Sequence, residues 1–215
     1  VSGSTASAQP TDARDPLLDY QRGLQLLGTS RARDGLALLQ SASQAGLAPA
    51  QYRLAKIYEH GEGAPRDLNA AREWTERAAR GGNCRAMHDL GVYYAQGDAV
   101  QRNEALAFSW FQQAAELGVV DSQYNLGLLY QYGRGVQASA DHALYWFLVA
   151  ARQHDLNAVD RAVTLASQMA PEQVERAQAL ARRFEARSAD PIANGATSNT
   201  TGASCAAHLE RPQNS

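Results

Sequence analysis

Lysine is almost missing from this chain: of its 20 basic residues only Lys56 is a lysine, and the rest are arginines. That bias reads as the coding habit of a GC-rich genome rather than as a binding surface. Excess charge is missing too. The basic residues face 22 acidic ones, which leaves a net charge of −2 and no footing for a nucleic-acid or membrane-surface partner. Long hydrophobic runs are absent. The longest, Ala143 to Ala151, has nine residues, whereas a membrane-spanning helix needs about 20. Cysteine is scarce. Cys84 and Cys205 do not make a disulfide framework, and they neither require nor exclude an oxidising compartment. The sequence starts at Val1, without an initiator Met or a signal peptide, as expected of a fragment or a processed form.

Reactive constellations are also lacking. The histidines at 60, 88, 142, 154 and 208 have no ligand spacing, so neither a metal nor a cofactor is expected. No Ser/His/Asp set or carboxylate pair has a catalytic spacing, and the chain reads as a non-enzyme. Cys84 falls at a turn and reads as a small packing residue. Cys205-Ala-Ala-His208 reads as inert composition.

What is present is repetition. Trp74, Trp110 and Trp146 recur every 36 residues, each inside Ala-x-x-Trp-(x)3-Ala-Ala. A fixed period of this length marks stacked repeats. Three units follow one another, Ala50 to Arg85, Ala86 to Asp121 and Ser122 to Asn157, with superimposable anchors. Leu54, Leu90 and Leu126 match, as do Ala55, Gly91 and Gly127, and Tyr58, Tyr94 and Tyr130. Gly61, Gly97 and Gly133 follow, then Gly63, Ala99 and Gly135.

Apolar positions inside each unit fall at helical spacing, so each unit reads as helix, Gly-rich loop, helix. Gly61 should end the first helix in the left-handed conformation. Asp67 and Asn103 should cap the second. Ala55, Gly91 and Gly127 should let the partner helix approach, and the Trp should fill the gap between helices. Glu73–Arg77 and Glu76–Arg80 should pair along the outer face.

The ends are less regular. Residues 1–14 lack apolar period and read as disordered linker. The repeat array is expected over 15–187, with a helix starting at Asp15-Pro16 and a worn first unit over Leu17 to Gly46. The third Trp helix is apolar all round and must be covered. The expected cover is a last helix pair, Ala158 to Met169 and Pro171 to Arg187, packing through Leu165, Met169, Val174, Ala177, Leu180, Ala181 and Phe184; the alternative is a dimer interface. Residues 188–215 read as a disordered tail.

These repeats resemble the Sel1-like repeat, a relative of the tetratricopeptide repeat. Ser122, Leu126, Gly127, Tyr130, Gly133, Gly135, Val136, Ala143, Trp146, Ala150 and Ala151 carry its pattern. Ala64 and Val100 hold its Val slot, and His154 stands where Gly82 and Gly118 close the other units. The resemblance implies an all-α, right-handed solenoid of helix-turn-helix repeats: three full ones between degenerate terminal helix pairs. It also implies a concave groove lined by the first helices. The groove positions are Tyr52, Arg53, Lys56 and Glu59; His88, Asp89 and Val92; Tyr124, Asn125, Leu128 and Gln131.

Gln51 to Lys56, Trp74 to Ala79, Asn83 to Leu90, Val120 to Leu126 and Asp190 to Gly195 are similar, more narrowly, to the PodJ family of alphaproteobacterial polar localisation factors. That likeness implies the periplasmic interaction domain of a longer membrane-anchored polarity scaffold, binding a protein or peptide. The alternatives are a peptidoglycan-binding module, an adaptor docking on an enzyme, and a cytoplasmic location.

Overall fold

The computed structural model describes residues 15–196 and Cys205. The linker expected over 1–14 lies outside the described residues, as does His208.

Helix boundaries follow from local chemistry. Asp15 accepts from the Leu17 N–H at 2.9 Å and Pro16 occupies the first turn, which opens α1 (Pro16–Leu27). α2 (Ala32–Gln44) completes the worn first unit. α3 (Ala48–His60) and α4 (Leu68–Arg80) form the first full repeat, α5 (Cys84–Gln96) and α6 (Glu104–Glu116) the second, and α7 (Val120–Tyr132) and α8 (Ala140–Ala151) the third. α9 (Leu156–Ala166) and α10 (Pro171–Arg183) close the array. Asp67 caps α4 and Asn103 caps α6 through side-chain oxygens at 3.0 Å, as the sequence leads one to expect. Gly61, Gly97 and Gly133 end α3, α5 and α7 in the left-handed region. No strand occurs among the described residues.

From α1 to α9 the helices stack in order, each packing on its chain neighbours, while α10 folds back over α8. Within a repeat the first and second helices meet at a size-matched pair one position after the Trp. Phe111 (3% exposed) lies against Gly91, and Phe147 (0%) against Gly127. A Cβ built on Gly127 would stand 2.5 Å from Phe147 Cδ1. The equivalent positions of the first repeat hold Ala55 and Thr75, both buried, and in the worn unit Gly23 lies against Leu39. A larger residue on one helix goes with a smaller one on the other, which keeps the interior filled.

The gap-filling role expected of the Trp therefore belongs to its successor. Trp146 is buried, but Trp74 and Trp110 are only half-buried. The Arg77 guanidinium lies 4.5 Å above the Trp74 ring, so Arg77 does not serve Glu73. Glu76 pairs with Arg80 as expected, and also with Arg72 at 3.3 Å.

Repeats are joined by buried amides. Gln51 Nε2 donates to Ser43 O at 3.1 Å and Gln123 Nε2 to Ala115 O at 3.2 Å. Each reaches the last turn of the preceding helix and satisfies a carbonyl that the helix leaves open.

The apolar α8 is covered from within the chain. Leu144 and Phe147 pack with Ala162, Leu165, Ala177, Met169 and Val174, while Phe184 meets Trp146 edge-on at 5.8 Å. Leu180 departs from expectation: it is 58% exposed. The cap also runs shorter than expected, since α10 stops at Arg183.

The tail after 187 does not read as disordered where it is described. Residues 184–196 run back as a strap along the turns that join one repeat to the next. Arg187 N donates to Glu116 O at 2.8 Å, and Asn83 Nδ2 donates to Ala193 O at 2.8 Å. Asn194 accepts from Cys84 N at 2.9 Å and donates to Gly82 O at 3.2 Å. Ala189 and Ala193 of this strap are themselves buried. Cys205 N donates to Leu117 O, and its sulfur forms a disulfide with Cys84 across a sequence separation of 121. Cys84 is therefore not merely a packing residue, nor Cys205 inert composition.

Candidate functional site

The 36-residue period puts equivalent side chains of α3, α5 and α7 on one face. All eleven expected groove residues belong to these three helices, each partly exposed. The structure then divides them by what they touch.

The first group is occupied in holding repeats together. Tyr52 Oη donates to Asp89 Oδ2 at 3.1 Å, and Lys56 Nζ reaches the same oxygen at 3.2 Å. Lys56 also pairs with Glu59, and the Tyr93 phenol hydrogen-bonds to Glu59 and Thr75. Burial alone would lower the Lys56 ammonium, but the Asp89 and Glu59 carboxylates outweigh it and hold its pKa above the usual value. The Tyr52 phenol is held neutral by burial and then by the Asp89 carboxylate. His88 Nδ1 lies 2.8 Å from Ser122 Oγ, and its ring packs 5.5 Å from Phe111. Burial lowers the His88 pKa, against the pull of Asp89 and Asp121, so the imidazole is neutral near pH 7. Val92 joins the apolar cluster of Phe111 and Leu126, and Leu128 that of Phe147.

Tyr52 and Lys56, together with Arg53, Tyr124 and Gln131, also line two depressions. The larger, about 800 Å³, gathers Tyr52, Arg53 and Lys56 with Tyr20, His60, Glu62, Asn83 and Arg85. One wall is the strap, through Asn194, Gly195 and Cys205. Arg53 stands 3.8 Å from Glu62, both well exposed, a pairing too solvated to fix either side chain. The smaller, about 300 Å³, takes Tyr124 and Gln131 with Asn157, Asp160, Arg161 and Thr164 of α9. Arg161 donates to Tyr132 Oη at 3.2 Å and to the Tyr124 phenol. Gln131 Oε1 is buried without a hydrogen-bond partner among the described residues. Asn125 lines neither depression.

Two sets of residues escape the sequence reading. Asp160, Arg161 and Thr164 stand 36 residues after Tyr124, Asn125 and Leu128, so extending the period by one unit would have found them. The strap residues carry no period and no comparable signal. Among the described residues, no group of three or more His, Cys, Asp or Glu could hold a metal ion.

Stacked two-helix bricks with one exposed face of first helices define an α-solenoid built for contact over a surface. The Sel1 repeat model matches residues 48–83, 84–119 and 120–155. That is half of the sequence, and the chain belongs to the Sel1 repeat family. Repeats of this fold are in general protein–protein interaction scaffolds.

A Sel1 repeat protein from Oxalobacter formigenes is 36% identical with a TM-score of 0.56, over 59% of this chain and 95% of that one. A protective antigen of uropathogenic Escherichia coli, c5321, has an SLR fold and aligns with a TM-score of 0.55 at 24% identity. That alignment takes in 79% of this chain but only 45% of the antigen. No curated protein matches the chain.

Proposed function

We propose that this chain is a non-catalytic scaffold that holds a segment of a partner protein along the first-helix face, from the Tyr52–Arg53 depression to the Tyr124–Arg161 depression. The observation that carries the reading is the pairing of two open, polar-lined hollows on one face with a fixed inter-repeat network between them. A partner gains from a surface already ordered before it binds.

The finer reading is a periplasmic role in bacterial polar organisation. It rests on the likeness to polar localisation factors, and the Cys84–Cys205 disulfide supports it, since such bonds persist in oxidising compartments. A peptidoglycan-binding module is the second reading. It is favoured by the Tyr20 and Tyr52 phenols lining the larger hollow beside the amides of Asn83 and Asn194.

The test uses Arg53→Glu and Arg161→Glu rather than His88 or Tyr124, which pack against Phe111 and Phe147. The chain is presented with purified peptidoglycan sacculi and, separately, with periplasmic extract from which sacculi have been removed. Protein capture that falls tenfold or more in the double variant, at unchanged melting temperature, supports the scaffold. Retention on bare sacculi turns the assignment to glycan. Capture indifferent to both substitutions rejects this face.

A further inference from the structure

α10 does not sit beside α9 as the second helix of a repeat would; it lies over α8. The result is a groove between α8 and α10, lined by none of the first-helix groove residues. Its cavity is about 580 Å³, lined by Tyr145, Ala177, Leu180 and Phe184, with Arg176 and Arg183 also on α10.

The floor is fixed. Phe184 is wedged against Trp146, and Tyr145 meets the same indole at 5.0 Å. The Arg152 guanidinium donates to Ala181 O and to Phe184 O. The open carbonyls at the end of α10 thus already have a cationic partner, and Arg183 is not needed to cap them. Leu180 projects from this floor, 58% exposed. Among the described residues, neither Arg176 nor Arg183 forms an ion pair. They lie two turns apart on one helix, about 10 Å, with Leu180 between them. The acid in the groove, Asp141, is engaged by Gln173 Nε2 at 3.0 Å.

The geometry points to this groove as a second docking site, for an acidic segment of another protein. The segment places an aliphatic or aromatic side chain against Leu180 and Phe184 and a carboxylate on each arginine. Charge complementarity selects the occupant. Outside the described residues this chain offers Asp12 and Glu210 as its acidic side chains, each close in sequence to an arginine, Arg14 or Arg211. Residues 1–14 and 197–215 therefore do not carry the charge pattern. Two guanidiniums can each take a carboxylate in a forked pair, and the apolar floor supplies the anchor that a rim of charges lacks.

The experiment selects a displayed library of random 12-residue peptides on the whole chain. Enriched peptides should carry two acidic residues flanking a Leu, Phe or Trp. Their affinity should fall tenfold or more in Arg176→Glu/Arg183→Glu and in Leu180→Glu, with the melting temperature unchanged because all three side chains are exposed. Peptides remade with Lys for Asp or Glu should recover binding to the double-Glu variant. Arg53→Glu/Arg161→Glu should leave them bound, which separates this groove from the first-helix face. Three results overturn the proposal: no enrichment, enriched peptides without an acidic bias, or affinity indifferent to the α10 substitutions. It is likewise overturned if those substitutions abolish only self-association in sedimentation, for then the occupant is a second copy of the chain.

Discussion

At the scale of single residues, this protein is governed by pairs rather than by its tryptophans. Gly127 exists for Phe147. Gly127→Ala pushes a methyl into that ring and should destabilise by roughly 1–3 kcal/mol, the cost of an overfilled core. In that background Phe147→Thr should cost less than it does alone, because the smaller side chain relieves the overfilling. Denaturant unfolding of the single and double variants reads both effects. A second prediction concerns backbone. His154 stands at φ 65 and Ala99 at φ 54, among glycines at the equivalent turns. The left-handed conformation costs a non-glycine about 1–2 kcal/mol, and glycine gives back about 0.5–1 of that as chain entropy. His154→Gly should therefore raise stability by roughly 0.5–1 kcal/mol, visible as a higher urea midpoint at unchanged slope.

At the scale of helices, the α5–α7 contact is sensitive to pH. His88 of α5 is held neutral against Ser122 of α7, faced by Asp89 on its own helix, Asp121 on α7 and Lys56 on α3. Its folded pKa lies below the usual 6.5, so between the two values the unfolded chain binds the extra proton. The stabilisation is complete above about pH 6.5 and is lost as the pH falls towards the folded value. Melting temperature should drop between about pH 7 and about pH 5, and less so in His88→Gln, whose side chain does not titrate there.

α3 to α8 could be read from sequence because a 36-residue period repeats each decision three times. Caps, left-handed helix ends and close-approach glycines all fell where the pattern put them. The groove was only half legible. Periodicity tells which side chains share a face, but not that Tyr52, Lys56 and Asp89 satisfy one another there. The Trp was overrated because a recurring residue signals an equivalent position, and that position is a seam beside the interior pair, partly exposed at Trp74 and Trp110 and covered only at Trp146.

At the scale of the molecule, a stack of repeats is a one-dimensional object: each brick touches its neighbours, and unfolding can begin at an end. The strap and the disulfide break that rule. They tie the segment beyond α10 to the turns at Gly82–Cys84 and Glu116–Leu117, skipping the third repeat and the final helix pair. Neither was legible in sequence, because a contact made once, across a separation of 121 residues, leaves no period to read. Closing so long a loop removes about 4–5 kcal/mol of disorder from the unfolded chain. The physical consequence is coupling as well as stability: α7 to α10 cannot leave the stack while both ends of their segment stay fixed. Under a dithiol reductant, or in Cys84→Ser/Cys205→Ser, stability should fall by up to that amount. The oxidised chain should unfold in one transition, and the reduced chain in two. Hydrogen exchange at Ala193 and Asn194 should rise first, ahead of the α3–α6 core. Loss of stability without any separation would show that the repeats already unfold as one unit, and that the disulfide adds loop entropy alone.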